Sequence, residues 1–304
     1  MVKLRAVDSE TVETVRLRLD LAYDGTVFSG WGVQPGLRTV QGVIEDALAT
    51  LLRHPPTIVR LVVAGRTDAG VHATGQVAHI DLSAAQWRAL AAVRRRNTVE
   101  QSMMRRVNGI IGGNAADVVI SRIAIAPAGF DARFSPLWRR YEYRIADATS
   151  ARDPRRRAHT LWHTGNLDVL AMDAAARSLT GLHDFAAFCK PRERATTVRT
   201  LLDYGWTRDE HGVLIAVVRA DAFCHSMVRS LVGGAVAVGL GALEPHNLER
   251  ILTEAVKANA FPVVAPQGLT LVEVGYPLDD ELEARAVLTR SRRERLGRTS
   301  DPSD

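Results

Sequence analysis

A period of two recurs along this 304-residue chain and limits the fold more than any other feature. Val15, Leu17, Leu19, Leu21 and Tyr23 alternate with Arg16, Arg18, Asp20 and Ala22. Side chains of a strand point alternately to opposite faces, so this run predicts a strand with one buried face, stopped by the turn dipeptide Asp24-Gly25. Ile58–Ala64, Gln76–Leu82, Val118–Ala126 and Tyr141–Ala146 read as further strands. Val198–Arg208 and Val213–Asp221 flank the polar turn Asp209-Glu210-His211-Gly212 as a hairpin, and Thr270–Tyr276 closes the series. Helical spacing fills the gaps. Thr39 caps a helix with Val40, Ile44, Ala47, Leu48 and Leu51 on its apolar face. Ser83–Val93, Gln101–Ile111, Leu167–Leu179 with Asn166 as its cap, Met227–Val238 and Asn247–Ala258 follow. Strands joined by short turns pair mainly antiparallel, so the class is α+β.

The length suits two lobes. Residues 1–14 form a polar leader, 15–147 a first α+β unit, 148–279 a second, and 280–304 a charged tail read as helix followed by disorder. The boundary is the basic segment Ala148–Arg157, broken by Pro154. The most apolar long run, Leu231–Leu243, is too short and glycine-rich to span a bilayer, so no membrane helix is expected. Nor does the N-terminus carry a basic patch followed by an apolar stretch, so no secretory signal is expected. Cys189 and Cys224 are not spaced as a metal-ligand pair and read as two free thiols.

The net charge of +5 is unevenly placed. Arginines cluster at 94–96 with 105 and 106, at 133 with 139, 140 and 144, at 152 with 155–157, and at 192 with 194 and 199. A guanidinium matches phosphate geometry and stacks on bases, so such clusters are the footprint of nucleic-acid binding. A plain solvated basic surface has the same composition, and composition leaves both readings open.

The chemistry concentrates in Ala64-Gly65-Arg66-Thr67-Asp68-Ala69-Gly70-Val71-His72-Ala73. Two glycines bracket a loop between strands, where catalytic groups tend to sit. Asp68 there can act as nucleophile or general base. It can equally cap a turn with Arg66 as its ion partner, and the residues alone do not decide.

This segment resembles the signature of the tRNA pseudouridine synthase A family. The resemblance extends to Ala22-Tyr23-Asp24-Gly25-Thr26 with Phe28, Gly30 and Trp31, and to Gln41-Gly42-Val43-Ile44-Glu45. It continues through Phe130–Ser135 leading to Arg139-Arg140-Tyr141, Gly181–Phe185 with Phe188, Phe223–Arg229 with Val232-Gly233, and Ala265–Leu269 with Leu271, Val274 and Tyr276. These segments run in family order from about Val15 to Pro277. Two features depart from the family pattern. Gly32 stands where a glutamine is usual, and the segment Arg88–Arg106 is longer and more basic than expected.

The resemblance implies two tandem α+β subdomains sharing an extended, mainly antiparallel sheet, with helices on one face and a central cleft. It implies a cytoplasmic homodimer that needs no metal or cofactor and modifies uridines of the tRNA anticodon stem-loop, at tRNA positions 38, 39 and 40. Asp68 takes the catalytic position, Arg66 the residue that fills or guards the space left by a flipped base, and Tyr141 the tyrosine that stacks on it. Arg229 lies among apolar neighbours and needs a partner; the resemblance supplies Asp68 as that partner. Leu269 packs against the base or serves the core. Arg94, Arg95, Arg96, Arg139 and Arg140 are expected to contact tRNA. His72 reads as structural, His183-Asp184 as a turn, and Phe28 and Trp31 as facing either tRNA or core. A non-catalytic RNA-binding or RNA-chaperone protein of the same fold is the alternative, and a hydrolase acting through Asp68 is a more remote one.

Overall fold

The computed structural model describes residues 14–55, 59–92, 97–192, 196–254 and 261–298. The leader before Thr14, Ile58, Arg94–Arg96, Ala255–Ala258 and the last six residues lie outside that set, with the expectations placed on them.

The first half runs β1 (Thr14–Tyr23), α1 (Val40–Leu52), β2 (Val62–Val63), β3 (His72–Ser83), α2 (Ala84–Ala91), α3 (Val99–Ile111), β4 (Val118–Ile125) and β5 (Trp138–Ala146). The second runs β6 (Leu161–Trp162), α4 (Val169–Ser178), β7 (Gly181–Asp184), β8 (Val198–Arg208), β9 (Leu214–Ala220), α5 (Met227–Gly239), α6 (Pro245–Glu254), β10 (Leu269–Gly275) and α7 (Leu282–Arg298). The fold is α+β, with one ten-stranded sheet ordered β4-β1-β3-β10-β5-β9-β8-β7, β2 beside β3 and β6 beside β5. Pairing is antiparallel except at β10–β3 and β5–β6. Alternation in β1 buries Leu17, Leu19, Leu21 and Tyr23 and leaves Arg16, Arg18 and Asp20 half-exposed.

Local signals set most elements. Thr39 caps α1 by accepting from Gly42 N at 3.3 Å. Ser83 and Gln86 form a reciprocal capping box on α2. Asp209 Oδ1 accepts from His211 N and Val213 N, closing the β8–β9 hairpin over Gly212 at φ +76°.

Two local expectations fail. The strand expected to end at Ala64 shrinks to Val62–Val63, because Leu61 N donates to the buried Glu45 carboxylate at 2.8 Å instead of joining a ladder. The cap of α4 is Asp168, which accepts from Leu170 N and Ala171 N, and not Asn166. The helix expected in the tail is present as α7, and it is docked, with Arg290 donating to Asp131 at 2.6 Å.

The seam of the sheet does not follow chain order. β10, from the end of the chain, inserts between β3 and β5. β5 pairs with β10, β9 and β6, all from the second half. The β3–β10 join is brief, registering only Thr270 with His72 and Leu271 with Ala73.

One buried titratable group links this sheet to pH. His79 on β3 is 3% exposed, and its Nδ1 accepts from Ala132 N at 3.0 Å. Burial, then the nearby Arg16 charge, pushes its pKa down to about 4. The unfolded chain protonates the ring near its ordinary value, so the contribution is complete above about pH 6.5 and is lost as pH falls toward 4. The loss is on the order of 3 kcal/mol over that interval. The thermal midpoint of wild type is therefore expected to drop more steeply from pH 7 to 4 than that of His79→Gln; parallel curves would contradict this.

Candidate active site

The loop from Ala64 to Val71 carries Asp68 between β2 and β3, and its backbone is held from several sides. Arg139 donates to Ala64 O at 2.8 Å and Gln76 Nε2 to Gly65 O at 2.9 Å. Tyr23 OH and Thr67 Oγ1 share a hydrogen bond of 2.8 Å. Trp31 N donates to Thr67 O and Gly70 N to Phe28 O. The segment 25–31 thus packs backbone to backbone against the loop, which explains its glycines. A Cβ on Gly25 would lie 2.1 Å from Val71 O, and Gly30, at φ +96°, sits against Thr67 O. Phe28 and Trp31 are 3% and 1% exposed, so both serve the core and neither faces a ligand.

Within this frame the Asp68 side chain stays one-third exposed, at 33%. It accepts no backbone N–H among the described residues, so it caps no turn. Arg66 does not pair with it. That side chain is exposed and passes over Gly32, where a Cβ would stand 3.9 Å from Arg66 Nε. Both observations that would make Asp68 merely structural are therefore missing.

Sheet order then gathers the other groups. Leu269 begins β10 opposite Tyr143, and Leu271 lies opposite Tyr141 on β5. His72, at the exit of the Asp68 loop, adjoins Thr270. Asp68, in the loop that enters β3, Leu269, at the start of β10, and Tyr141, within β5, are thus carried by three neighbouring strands.

 Tyr141 is 8% exposed, with its ring edge-on to Phe223 at 5.1 Å. Burial, then Tyr23 and the Asp68 charge, push its phenol above the ordinary range while Arg139 pulls the other way, so it stays neutral. Leu269 is 5% exposed.

The expected Asp68–Arg229 ion pair is not formed. Arg229, in the first turn of α5, donates from Nε to Val264 O at 2.7 Å, and Val264 N returns a bond to Arg229 O. No Arg229–Asp68 contact within 4.0 Å occurs among the described residues. The carbonyl takes the Nε–H donor, and the side chain ties α5 to the segment leading into Leu269. The group that meets Asp68 is His225, with Nε2 3.4 Å from Asp68 Oδ1. Sequence reasoning passed over His225 because Cys224-His225 lacks the companions of a metal site; the available signal was its place in the same short segment as Arg229.

Other expectations change as well. Cys189 and Cys224, expected as free thiols, are disulfide-bonded, with Cα atoms 5.8 Å apart. The fold lays the turn ending at Cys189 against the start of α5, where Lys190 N donates to His225 O at 2.9 Å. Arg139, expected to face tRNA, is 9% exposed and donates to the carbonyls of Asp221, Ala64 and Arg133. Its position on the buried face of β5, in register with Ala220, turns it inward. Arg140 points the other way but is held by Glu142 and Glu273 at 3.0 and 3.1 Å, which neutralises it. His72, by contrast, fits the structural reading made of it: it is buried and accepts from Gly25 N at 3.1 Å. His183 and Asp184 bond to separate partners, Thr180 O and Ala186 N.

The arginines of the third cluster are exposed and lie close by. The short turn Pro154–His159 packs on the Pro266–Gly268 turn, and the His159 ring is 6.5 Å from that of His72. Beside it the Arg152 guanidinium sits 5.6 Å over the half-exposed Trp162 ring.

A family profile described as tRNA pseudouridine synthase matches residues 175–277. The chain is 55% identical over 292 residues to a protein of Leifsonia xyli named tRNA pseudouridine synthase A, covering 93% of this chain and 99% of that one. A protein of Streptomyces avermitilis with the same name is 51% identical, with 92% and 94% covered. One of Mycobacterium leprae, again so named, is 45% identical, with 92% and 96% covered.

Proposed function

The chain belongs to the tRNA pseudouridine synthase A family, and on that premise we propose that it isomerises uridine to pseudouridine in the anticodon stem-loop of tRNA, at positions 38, 39 and 40, with Asp68 as the catalytic residue. The observation that carries the assignment of Asp68 is its carboxylate, held on a rigid loop, one-third exposed and without a structural duty, close enough to the buried Tyr141 for its charge to act on that phenol.

The reaction breaks the C1′–N1 glycosidic bond, turns the uracil and joins C5 to C1′. N1 ends with a proton and C5 gives one up, so atoms balance with no redox change and no net hydrolysis. One ionised carboxylate close to ribose and base suffices. A stacked uridine must first leave the helix. Tyr141 then offers a neutral aromatic face, with stacking worth about 1–3 kcal/mol per base, and Leu269 an apolar wall. Arg66, exposed and free of carboxylate partners among the described residues, would occupy the space the base leaves. Arg229 supports the site through Val264. The exposed arginines at 152 and 155–157 extend a basic surface from the cleft edge for phosphates. The proposal carries with it a cytoplasmic homodimer; no helix among the described residues is long and apolar enough to cross a membrane.

Nucleoside analysis of unmodified tRNA after incubation tests the reading. Pseudouridine without free uracil is expected, and it should disappear site by site when positions 38, 39 and 40 are replaced by cytidine. Free uracil would indicate a hydrolase, and no change in a tRNA that binds would indicate a non-catalytic RNA-binding protein.

The run Arg94–Arg96 carries a separate prediction. Reversing all three to Glu should weaken tRNA binding and flatten its dependence on salt, since each lost phosphate contact removes about 0.9 from the log–log slope on duplex regions. Unchanged affinity at low and moderate salt would reject it.

A further inference from the structure

We propose that His225 is a positioning residue for Asp68, donating its Nε2–H to the carboxylate and fixing which oxygen faces the uridine. The inference rests on the assignment of Asp68 above.

Three observations converge. His225 Nε2 is 3.4 Å from Asp68 Oδ1, and no other side chain pairs with that carboxylate among the described residues. The opposite nitrogen, Nδ1, is buried without a partner. A proton on Nδ1 would be a buried N–H with nothing to accept it, so of the two tautomers the one with its proton on Nε2 is favoured. That tautomer directs its one donor at Asp68.

The third observation is how the ring is held. His225 O accepts from Lys190 N at 2.9 Å, and the preceding Cys224 is linked to Cys189. The following Ser226 adopts φ +64°, a left-handed conformation that non-glycine residues rarely take. Ser226 O then accepts from Ser230 N at 3.0 Å as α5 begins. A strained residue clamped on both sides is what aims a side chain with accuracy, and strain of this kind concentrates at functional sites. At 3.4 Å the contact is longer than a good hydrogen bond, and contacts of this sort tighten when substrate closes the site. With Oδ1 taken by His225, Oδ2 is left for the reacting uridine.

The test compares His225→Leu, which keeps bulk but no donor, with His225→Gln, which can bring an amide N–H to the place of Nε2. Single-turnover pseudouridine formation, tRNA affinity and thermal midpoint are measured beside wild type. His225→Leu is expected to lower the rate at saturating tRNA by about 10²-fold, the scale of a misplaced catalytic group, with affinity changed less than about threefold. His225→Gln is expected to restore most of the rate at the wild-type midpoint. Should His225→Leu unfold, the His225→Gln rate decides alone: near wild type it supports the proposal, and a loss of about 10²-fold with an unchanged midpoint overturns it. A folded His225→Leu as fast as wild type also overturns it. An inactive wild type would instead defeat the assignment of function on which this rests.

Discussion

Arg139→Ala is expected to lose about 3–5 kcal/mol of stability, the largest effect of any single truncation in the sheet. The guanidinium is buried and paired with carbonyls, not with a carboxylate: Asp221 O at 2.7 Å, Ala64 O at 2.8 Å and Arg133 O at 3.3 Å. Burial lowers its pKa, with Tyr276, Tyr141 and Asp221 opposing, and three carbonyl acceptors on its two terminal nitrogens help the site tolerate the charge. Truncation strands these acceptors and leaves a cavity behind. It also releases Ala64, the entry to the Asp68 loop, so activity should fall even in the fraction that remains folded. Chemical denaturation checks the first part and single-turnover kinetics the second. Arg139→Lys keeps a charge but not the planar fork, and is expected to recover only part of the loss. A wild-type denaturation midpoint for Arg139→Ala would contradict the account, and would reopen a role for Arg139 at the RNA surface.

Asp68→Asn is expected to remove pseudouridine formation by about 10³-fold or more while leaving tRNA affinity and thermal stability close to wild type. The substitution keeps shape and takes away the charge. Stability should hold because the carboxylate is one-third exposed and caps nothing; its only ionic neighbour is His225 among the described residues. Binding should hold because the exposed arginines that would meet phosphates are left intact. A large loss of stability would mean that Asp68 is a structural residue after all, and retained catalysis would mean that another group does the chemistry.

What the sequence revealed about this site follows the range of the interactions. β1, α1 and the β8–β9 hairpin rest on local periodicity, on the Thr39 cap and on the Asp209–Gly212 turn, and all were legible. The Asp68 loop was legible as a glycine-bracketed carboxylate, and its chemistry only through resemblance. β6 and β7, of two and four residues, are too short to show a period. The failures in the site share one cause. β10 enters between β3 and β5 from far along the chain, and no local pattern reports that. This insertion brings the Val264–Leu269 segment to the site, where Val264 O captures Arg229 and leaves Asp68 to His225. Arg139 misled for a related reason: alternation along β5 puts it on the face of Tyr141 and Tyr143, yet an arginine beside Arg140 reads as surface.

The most direct test of the central claim is release of tritium from tRNA labelled at uridine C5, using wild type and Asp68→Asn. A bond from C5 to C1′ cannot form without expelling that hydrogen. Release by wild type and none by Asp68→Asn is the predicted result. Equal release by both proteins, or none by wild type on unmodified tRNAs that it binds, would contradict it.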